Sequence, residues 1–93
     1  MKFSSEQTVV TCGVSAEIND NSDFAMFVLA SLKRHFKCDW GDTLPEDCVA
    51  NDMALVIDDR ILSAYIYPLS DKKIWILTEC DRSATTILFP EEY

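Results

Sequence analysis

The sequence contains few of the residues that interrupt or cross-link a chain. Only two glycines and three prolines occur in 93 residues, which argues against long irregular loops. No two of the four cysteines have C-x-x-C spacing, and 48% apolar residues are enough for a core without disulfides. We therefore predict free thiols at all four positions, as in a reducing compartment. The cysteines are Cys12, Cys38, Cys48 and Cys80.

Long hydrophobic runs are also missing. No apolar run approaches the roughly 18 residues that a membrane-spanning helix requires. The segment MKFSSEQTVV lacks the apolar core of a secretory signal peptide. These absences predict a cytoplasmic protein with no membrane partner.

Basic residues are absent from one stretch, residues 39–59, here called the acidic segment. It carries seven acids and no lysine or arginine, while the whole chain has a formal net charge of −8. A net-acidic domain repels nucleic-acid phosphates, so direct DNA or RNA binding is disfavoured. A basic protein surface, such as that of a nucleic-acid-binding protein, is the partner that this charge favours.

The residue pattern predicts an α+β fold in one domain, residues 1–93. β-Branched and aromatic runs predict strands near 7–12, 61–67, 73–79 and 84–89, and helical spacing predicts helices near 23–37 and 43–57. Short links between the last three strands favour a meander. The order β-α-α-β-β-β then predicts an antiparallel sheet of about four strands, with two helices packed on one face.

The first predicted helix has a regular apolar face, with N-caps available between Asn19 and Ser22. The face comprises Ala25, Val28, Leu29, Leu32 and Phe36. In strand 61–67, Leu62, Ala64 and Ile66 should share one face, and Ser63, Tyr65 and Tyr67 the other. The unbroken run Ile74–Leu77 suits a strand buried on both faces, which predicts a largely buried Trp75.

The second predicted helix begins with a capping-box pattern. Thr43 is the expected N-cap, with Glu46 three residues later. The spacing of Val49, Met53 and Val56 predicts that they face the core, and that Asp47, Asn51 and Asp58 face water. Its last residues, Ala54–Ile57, could instead form a strand that turns at Asp58-Asp59.

No catalytic or metal-binding motif stands out. His35, the only histidine, lies beside the apolar stripe of the first helix, so we expect a partly buried boundary residue rather than a catalytic partner of Cys38. The group Asp39, Asp42 and Asp47 supplies oxygen ligands but lacks the spacing of a calcium loop, and zinc-ligand spacing is absent. We predict no cofactor and no metal.

A set of polar and aromatic residues is left as a candidate partner-binding surface. Trp40 lies in a polar turn, where it either packs on the domain or anchors a partner. The remaining members are charged residues of the acidic segment and of the turn before the last strand. The candidate set is Asp39, Trp40, Asp42, Asp47, Asp52, Glu79, Asp81 and Arg82.

A series of short motifs covers nearly the whole chain: Val9–Thr11 with Gly13-Val14, Ser31–His35, Asp39–Asp42, Glu46-Asp47, Asn51-Asp52, Arg60–Tyr65, Trp75–Glu79, Asp81–Thr86 and Pro90–Tyr93. In these motifs the chain resembles a group of small plasmid-related proteins encoded on plasmids, integrative elements and phages. Cys38 stands where the group often has glycine, and Cys80 where it often has a small residue, which argues against essential thiols. The resemblance implies a mobile-element setting and no particular activity.

Two functional hypotheses follow from the sequence. The favoured one is a non-catalytic, acidic binding protein, as either monomer or homodimer, that occupies a basic surface on a host protein. An anti-defence inhibitor, such as an anti-CRISPR or anti-restriction protein, would act in this way. The alternative is a small enzyme, or a ligand- or cation-binding domain, in which Asp39–Asp42 and Glu79–Arg82 converge in a cleft.

Overall fold

The computed structural model describes residues 2–93, and it has the predicted α+β class. A four-stranded sheet carries helices on one face and along one edge. The strands are β1 (Gln7–Val10), β2 (Ile61–Ile66), β3 (Lys73–Thr78) and β4 (Ala84–Leu88); the helices are α1 (Cys12–Asp20), α2 (Ser22–Phe36) and α3 (Pro45–Ile57); and a 3-10 turn spans Pro90–Glu92.

The sheet is mixed, so the prediction of a purely antiparallel sheet is wrong. Its order is β1-β4-β3-β2, with β2–β3 and β3–β4 antiparallel and β1–β4 parallel. The three helices carry the chain from β1 to the far edge, and the meander of β2, β3 and β4 then returns to β1. The short links predicted the meander correctly, but they contain no information about the direction of β1.

Helix α1 was not predicted, because its sequence shows only a strand followed by a polar link. β1 ends at Val10, and the side chain of Thr11 caps α1 by accepting from the amide of Val14 at 3.4 Å. Glu92 accepts from the Thr11 hydroxyl at 2.6 Å and from the amide of Gly13 at 3.2 Å. The carboxylate of Glu92, at least 79 residues away in the sequence, therefore stabilises the N-terminus of α1.

The bounds of helix α2 closely match the prediction, but its apolar face was only partly predicted: Val28 is buried, whereas Leu29 is exposed by 48%. Asn21 caps it by accepting from the amides of Asp23 and Phe24, at 3.0 and 3.2 Å. The helix covers the sheet with Phe24 and Val28, both buried. The main core contains Val14, Phe24, Val28, Tyr65, Tyr67, Ile74, Ile76 and Ile87.

Helix α3 exists, which excludes the strand alternative for Ala54–Ile57, but the capping-box prediction is wrong. The N-cap is Leu44, which makes no side-chain capping bond, and Pro45 is the first helical residue. Thr43 instead donates to the carbonyl of Trp40 and accepts from the amide of Ala64. Asp58 ends the helix in the left-handed conformation, with φ of 56°.

Within residues 2–93, no α-helix lies over the face of the sheet opposite α2. The alternation predicted for β2 is confirmed, with Ser63 and Tyr65 on the buried face. Trp75 points to the opposite face and is only partly accessible there, in agreement with the prediction that it is largely buried. It packs edge-on against Tyr93, with ring centroids 5.7 Å apart. Leu77 points to the same face as Trp75 and is buried, so the apolar run marks a strand with little exposure on either face.

Candidate functional site

The outer edge of β2 is covered by side chains from the acidic segment. Asn51 donates its amide hydrogen to the carbonyl of Leu62 at 2.8 Å and accepts from the amide of the same residue at 3.2 Å. Asp42 accepts from the amide of Ile66 at 2.8 Å, and its own amide donates to the carbonyl of Ala64 at 2.8 Å. With the Thr43 bond to Ala64, these contacts satisfy an edge that would otherwise expose unpaired backbone groups.

This cover explains why Asn51 is buried, contrary to the prediction that it faces water. An asparagine amide has both a donor and an acceptor, so one side chain can pair with both backbone groups of a strand residue. Gly41, with φ of 63°, brings the chain against Ala64, and a Cβ there would collide with the ring of Tyr65. No local pattern in the sequence indicates that these polar residues pair with a strand.

The first members of the candidate set are committed to contacts within the protein. Asp39 forms a two-pronged ion pair with Arg34, at 2.8 and 3.1 Å, which lowers the pKa of Asp39 and raises that of Arg34. Trp40 is buried in a second core cluster, and its indole N–H donates to Asp52 at 3.0 Å. The core-packing alternative for Trp40 is the one that the structure adopts.

The second group lies at the other end of β2. The guanidinium of Arg82 donates to the carbonyls of Ala54 and Asp59, at 3.2 and 2.8 Å, and so ties the β3–β4 turn to the end of α3. Asp81 accepts from the amide of Ser83 at 2.9 Å within that turn, and hydrogen bonds with Ser83 lower the pKa of Asp81. Glu79 follows Thr78, which pairs with Ile61, whereas Asp42 bonds Ile66. The two groups therefore do not converge.

The outer face of α3 carries a row of exposed apolar side chains, here called the apolar row: Val49, Met53, Val56 and Ile57. Their exposed fractions are 67%, 55%, 77% and 60%. The prediction that the first three face the core is wrong, because Asn51 and Ala54 on the opposite side of the helix hold it to β2. Helical spacing places Glu46 one turn before Val49 and Asp52 beside it, so acids border the row.

A cleft of about 420 Å³ lies between α3 and the uncovered face of the sheet. Leu62, Ala64 and Trp75 line it together with Asp42 and Asp47. Arg60 and Lys73 also line the cleft, and Arg60 donates to the Tyr93 hydroxyl at 2.7 Å. Charges of both signs thus surround a largely apolar floor.

His35 is fully buried, so the prediction of a partly exposed boundary residue is wrong. Its Nδ1 lies 2.5 Å from the Ser63 hydroxyl and its Nε2 lies 2.9 Å from the Thr78 hydroxyl. Burial lowers the pKa of His35 to about 3, which keeps the ring neutral at physiological pH. Both ring nitrogens are occupied away from Cys38, so the ring has no position from which to activate a thiol.

The bonds to His35 belong to a longer chain of buried hydroxyls, here called the hydroxyl chain. Ser63 donates to the Tyr65 hydroxyl, which donates to the carbonyl of Asp39 at 2.8 Å. On the other side, Thr78 and Thr85 lie 2.8 Å apart, and Thr85 lies 2.7 Å from Ser5. Burial raises the pKa of Tyr65 to about 12, so its proton stays in place. No residue pattern in the sequence indicates that these hydroxyls are joined by hydrogen bonds.

Within residues 2–93 there is no group of three or more side chains that could hold a metal ion. The four cysteines form no disulfide, in agreement with the prediction of free thiols. No helix in that range is both long and apolar enough to cross a membrane.

No family model matches this sequence, and neither the curated proteins nor the solved structures include a similar protein at a significant level.

Proposed function

We propose that this protein is a non-catalytic binding protein that occupies a surface on another protein that is both basic and apolar. The observation that carries the proposal is the apolar row on α3, which is exposed and lies within the acidic segment. Exposed apolar rows bordered by charge are typical of docking surfaces, where desolvation of apolar side chains supplies affinity and charge selects the partner.

The acids best placed to attract a basic partner are only part of the candidate set derived from the sequence. Asp39, Asp42 and Asp52 each accept hydrogen bonds within the protein, so part of their acceptor capacity is already used. Glu46 and Asp47, in the first turn of α3, make no side-chain hydrogen bond or ion pair to any residue in the described range. These two acids supply the accessible charge beside the apolar row.

The partner proposed is a cytosolic protein that normally grips nucleic acid, since such a protein presents the required basic surface. The resemblance to proteins of mobile elements makes host-defence nucleases of the CRISPR and restriction classes the first partners to test. An anti-defence inhibitor would then work by covering the surface on which the nuclease holds its nucleic acid.

The experiment compares three baits against such a purified nuclease: the wild type, Val49→Ser/Val56→Ser on α3, and Met26→Ser/Leu29→Ser on the exposed side of α2. Met26 and Leu29 are exposed by 67% and 48%, so the control removes a similar apolar surface elsewhere. We expect binding by the wild type and the α2 variant and a loss of at least about tenfold in affinity for the α3 variant. Equal binding by all three baits would refute the role of α3.

Charge is tested separately with Glu46→Gln/Asp47→Asn and the matched pair Glu6→Gln/Asp20→Asn, which removes two charges from exposed sites elsewhere. The α3 pair should slow association several-fold at low salt, and this difference should fade as salt screens it over about 8 Å at physiological ionic strength. Identical association rates for the two pairs would show that the acids serve only solubility.

The cleft supports the alternative, a small-ligand-binding domain, because it combines an aromatic floor with charges of both signs. Its ligand would be an aromatic zwitterion, with the carboxylate toward Arg60 and Lys73 and the cation toward Asp42 and Asp47. Titration with free tryptophan or tyrosine, followed by NMR shifts of the Trp75 indole, tests this directly. Saturable shifts that vanish in Lys73→Ala would favour the alternative, and unchanged spectra would dismiss it.

A further inference from the structure

The two edge strands of the sheet, β2 and β1, differ in whether their outward backbone groups are hydrogen-bonded. On β2, the outward backbone groups of Leu62, Ala64 and Ile66 are bonded by Asn51, Thr43 and Asp42. Among residues 2–93, β1 pairs with β4 alone, on one side. Natural sheets generally blunt an open edge with a charge, a proline or a bulge, and residues Gln7–Val10 contain no charge and no proline.

The register identifies which groups of β1 are open. The amide of Thr11 donates to the carbonyl of Ile87, and Val10 pairs with Ile87 in a parallel ladder. Because alternate residues of a strand point their backbone groups to opposite sides, Val9 bonds toward β4 while Thr8 and Val10 point outward. All four residues of β1 are exposed, with Val9 at 41% and Val10 at 40%, so none of the helices in the part of the chain that the structure describes covers this edge.

We propose that two copies of this chain associate through β1, paired antiparallel about a two-fold axis at Val9. Thr8 of each copy then lies opposite Val10 of the other, and each such pair exchanges both of its N–H···O bonds. Val9 meets its own counterpart as a closely spaced, non-hydrogen-bonded pair on the uncovered face of the sheet. The two four-stranded sheets become one continuous sheet.

A second copy fits this edge better than a partner of other chemistry does. The outward groups are arranged symmetrically around Val9, so one register satisfies all of them on both chains. β1 carries no charge, so pairing brings no like charges directly opposite each other even though each chain carries −8. A basic partner would find no acid within Gln7–Val10 to select it.

The experiment is sedimentation velocity across a dilution series, combined with amide hydrogen exchange at the two ends of that series. We expect a monomer that becomes a dimer with rising concentration, and amides of Thr8 and Val10 that become protected over the same range. Raising salt should strengthen the dimer, since it screens repulsion between acidic chains. The partner binding proposed above should weaken with salt, so the two proposals fail independently.

Two variants weaken the proposed contact without touching the β1–β4 ladder. Thr8→Pro removes an outward N–H, a position where an edge strand tolerates proline, and Val9→Lys places two cations at the symmetry axis. Each should raise the dimer dissociation constant by at least about tenfold, equivalent to about 1.4 kcal/mol. Val56→Lys on α3 is the matched control and should dimerise like the wild type. A monomer at every concentration, or a dimer in which the Thr8 and Val10 amides stay unprotected, would overturn the proposal.

Discussion

Helices α2 and α3 have the same apolar periodicity in sequence, yet α2 buries large apolar side chains, whereas α3 leaves most of its large apolar side chains exposed. α2 lies on the face of the sheet and buries Phe24 and Val28, whereas α3 lies along an edge, buries Asn51 and exposes Val56. On a sheet face the surface to be covered is apolar side chains, so the apolar side of a helix packs inward. At a sheet edge the surface consists of unpaired backbone groups, so a polar side chain is the better contact.

The sharpest test of this comparison is pH, because α2 contributes a buried histidine and the contacts of Asn51 do not titrate. The folded-state pKa of His35, about 3, lies below its unfolded value of 6.5. As pH falls below 6.5 the unfolded chain takes up the proton first, so stability is lost as pH drops toward 3. Over the full window the loss is roughly 5 kcal/mol, at about 1.4 kcal/mol per pH unit.

Urea unfolding measured between about pH 7 and pH 4.5 isolates this effect, since carboxylates titrate mainly below that range. The His35 ring resonances of the folded protein should show no titration over the same interval. A ring that titrates near pH 6.5 would mean that His35 is accessible to water and that its burial does not contribute to the packing of α2 on the sheet.

The next effect is expected at the edge. Asn51→Ala removes both hydrogen bonds to Leu62 and should lower the free energy of unfolding by about 2 kcal/mol, because two backbone groups lose their partner. The control is Asp47→Ala, one turn earlier on α3, which should change stability by less than about 0.5 kcal/mol. Equal effects of the two substitutions would contradict the edge-capping role.

The last test compares a matched pair of valines, one on each helix, and includes the smallest single change expected, at Val56. Val28→Ala on α2, at 5% exposure, should cost about 2 kcal/mol by lost burial and a residual cavity. Val56→Ala on α3, at 77% exposure, should stay within about 0.5 kcal/mol. Thermal unfolding of both variants measures the contrast, and a comparable loss at Val56 would mean that the apolar row is covered in the folded protein.

Local patterns predicted much of this fold. Helix α2, strands β2–β4 and the existence of α3 follow from periodicity, from the cap at Asn21 and from β-branched runs. Helix α1 could not be predicted, because its start depends on Glu92, a contact between chain ends that no local window contains. The parallel pairing of β1 with β4 was not predicted for the same reason, because the pairing of strands that are distant in sequence depends on tertiary structure.

Predictions about the site were less successful, because they treated polar residues in loops as available. The side chain of Asp42 bonds a backbone group of β2, and that of Arg82 bonds a backbone group near the end of α3. A sequence does not show whether a charged side chain is free or already bonded to the backbone. The exposed valines of α3 were assigned to the core because amphipathicity gives the position of a stripe but not the direction in which it faces.

The hydroxyl chain has one further consequence, which concerns direction. It begins beside the carbonyl of Gln7 and ends at the carbonyl of Asp39, both of which only accept. The Tyr65 hydrogen must point to Asp39, so Ser63 points to Tyr65, and His35 must carry its hydrogen on Nδ1. With the hydrogen on Nδ1, Nε2 is an acceptor, so the Thr78 hydroxyl donates to it.

At the far end, the Ser5 hydroxyl donates to the carbonyl of Gln7 at 3.1 Å. The core therefore holds an oriented row of donors running from Thr78 through His35, Ser63 and Tyr65 to Asp39. Moving the ring hydrogen of His35 to Nε2 would require both Ser63 and Tyr65 to reverse as well. The Nδ1–H tautomer of His35 is thus set by the carbonyl of Asp39, with which the ring makes no direct hydrogen bond.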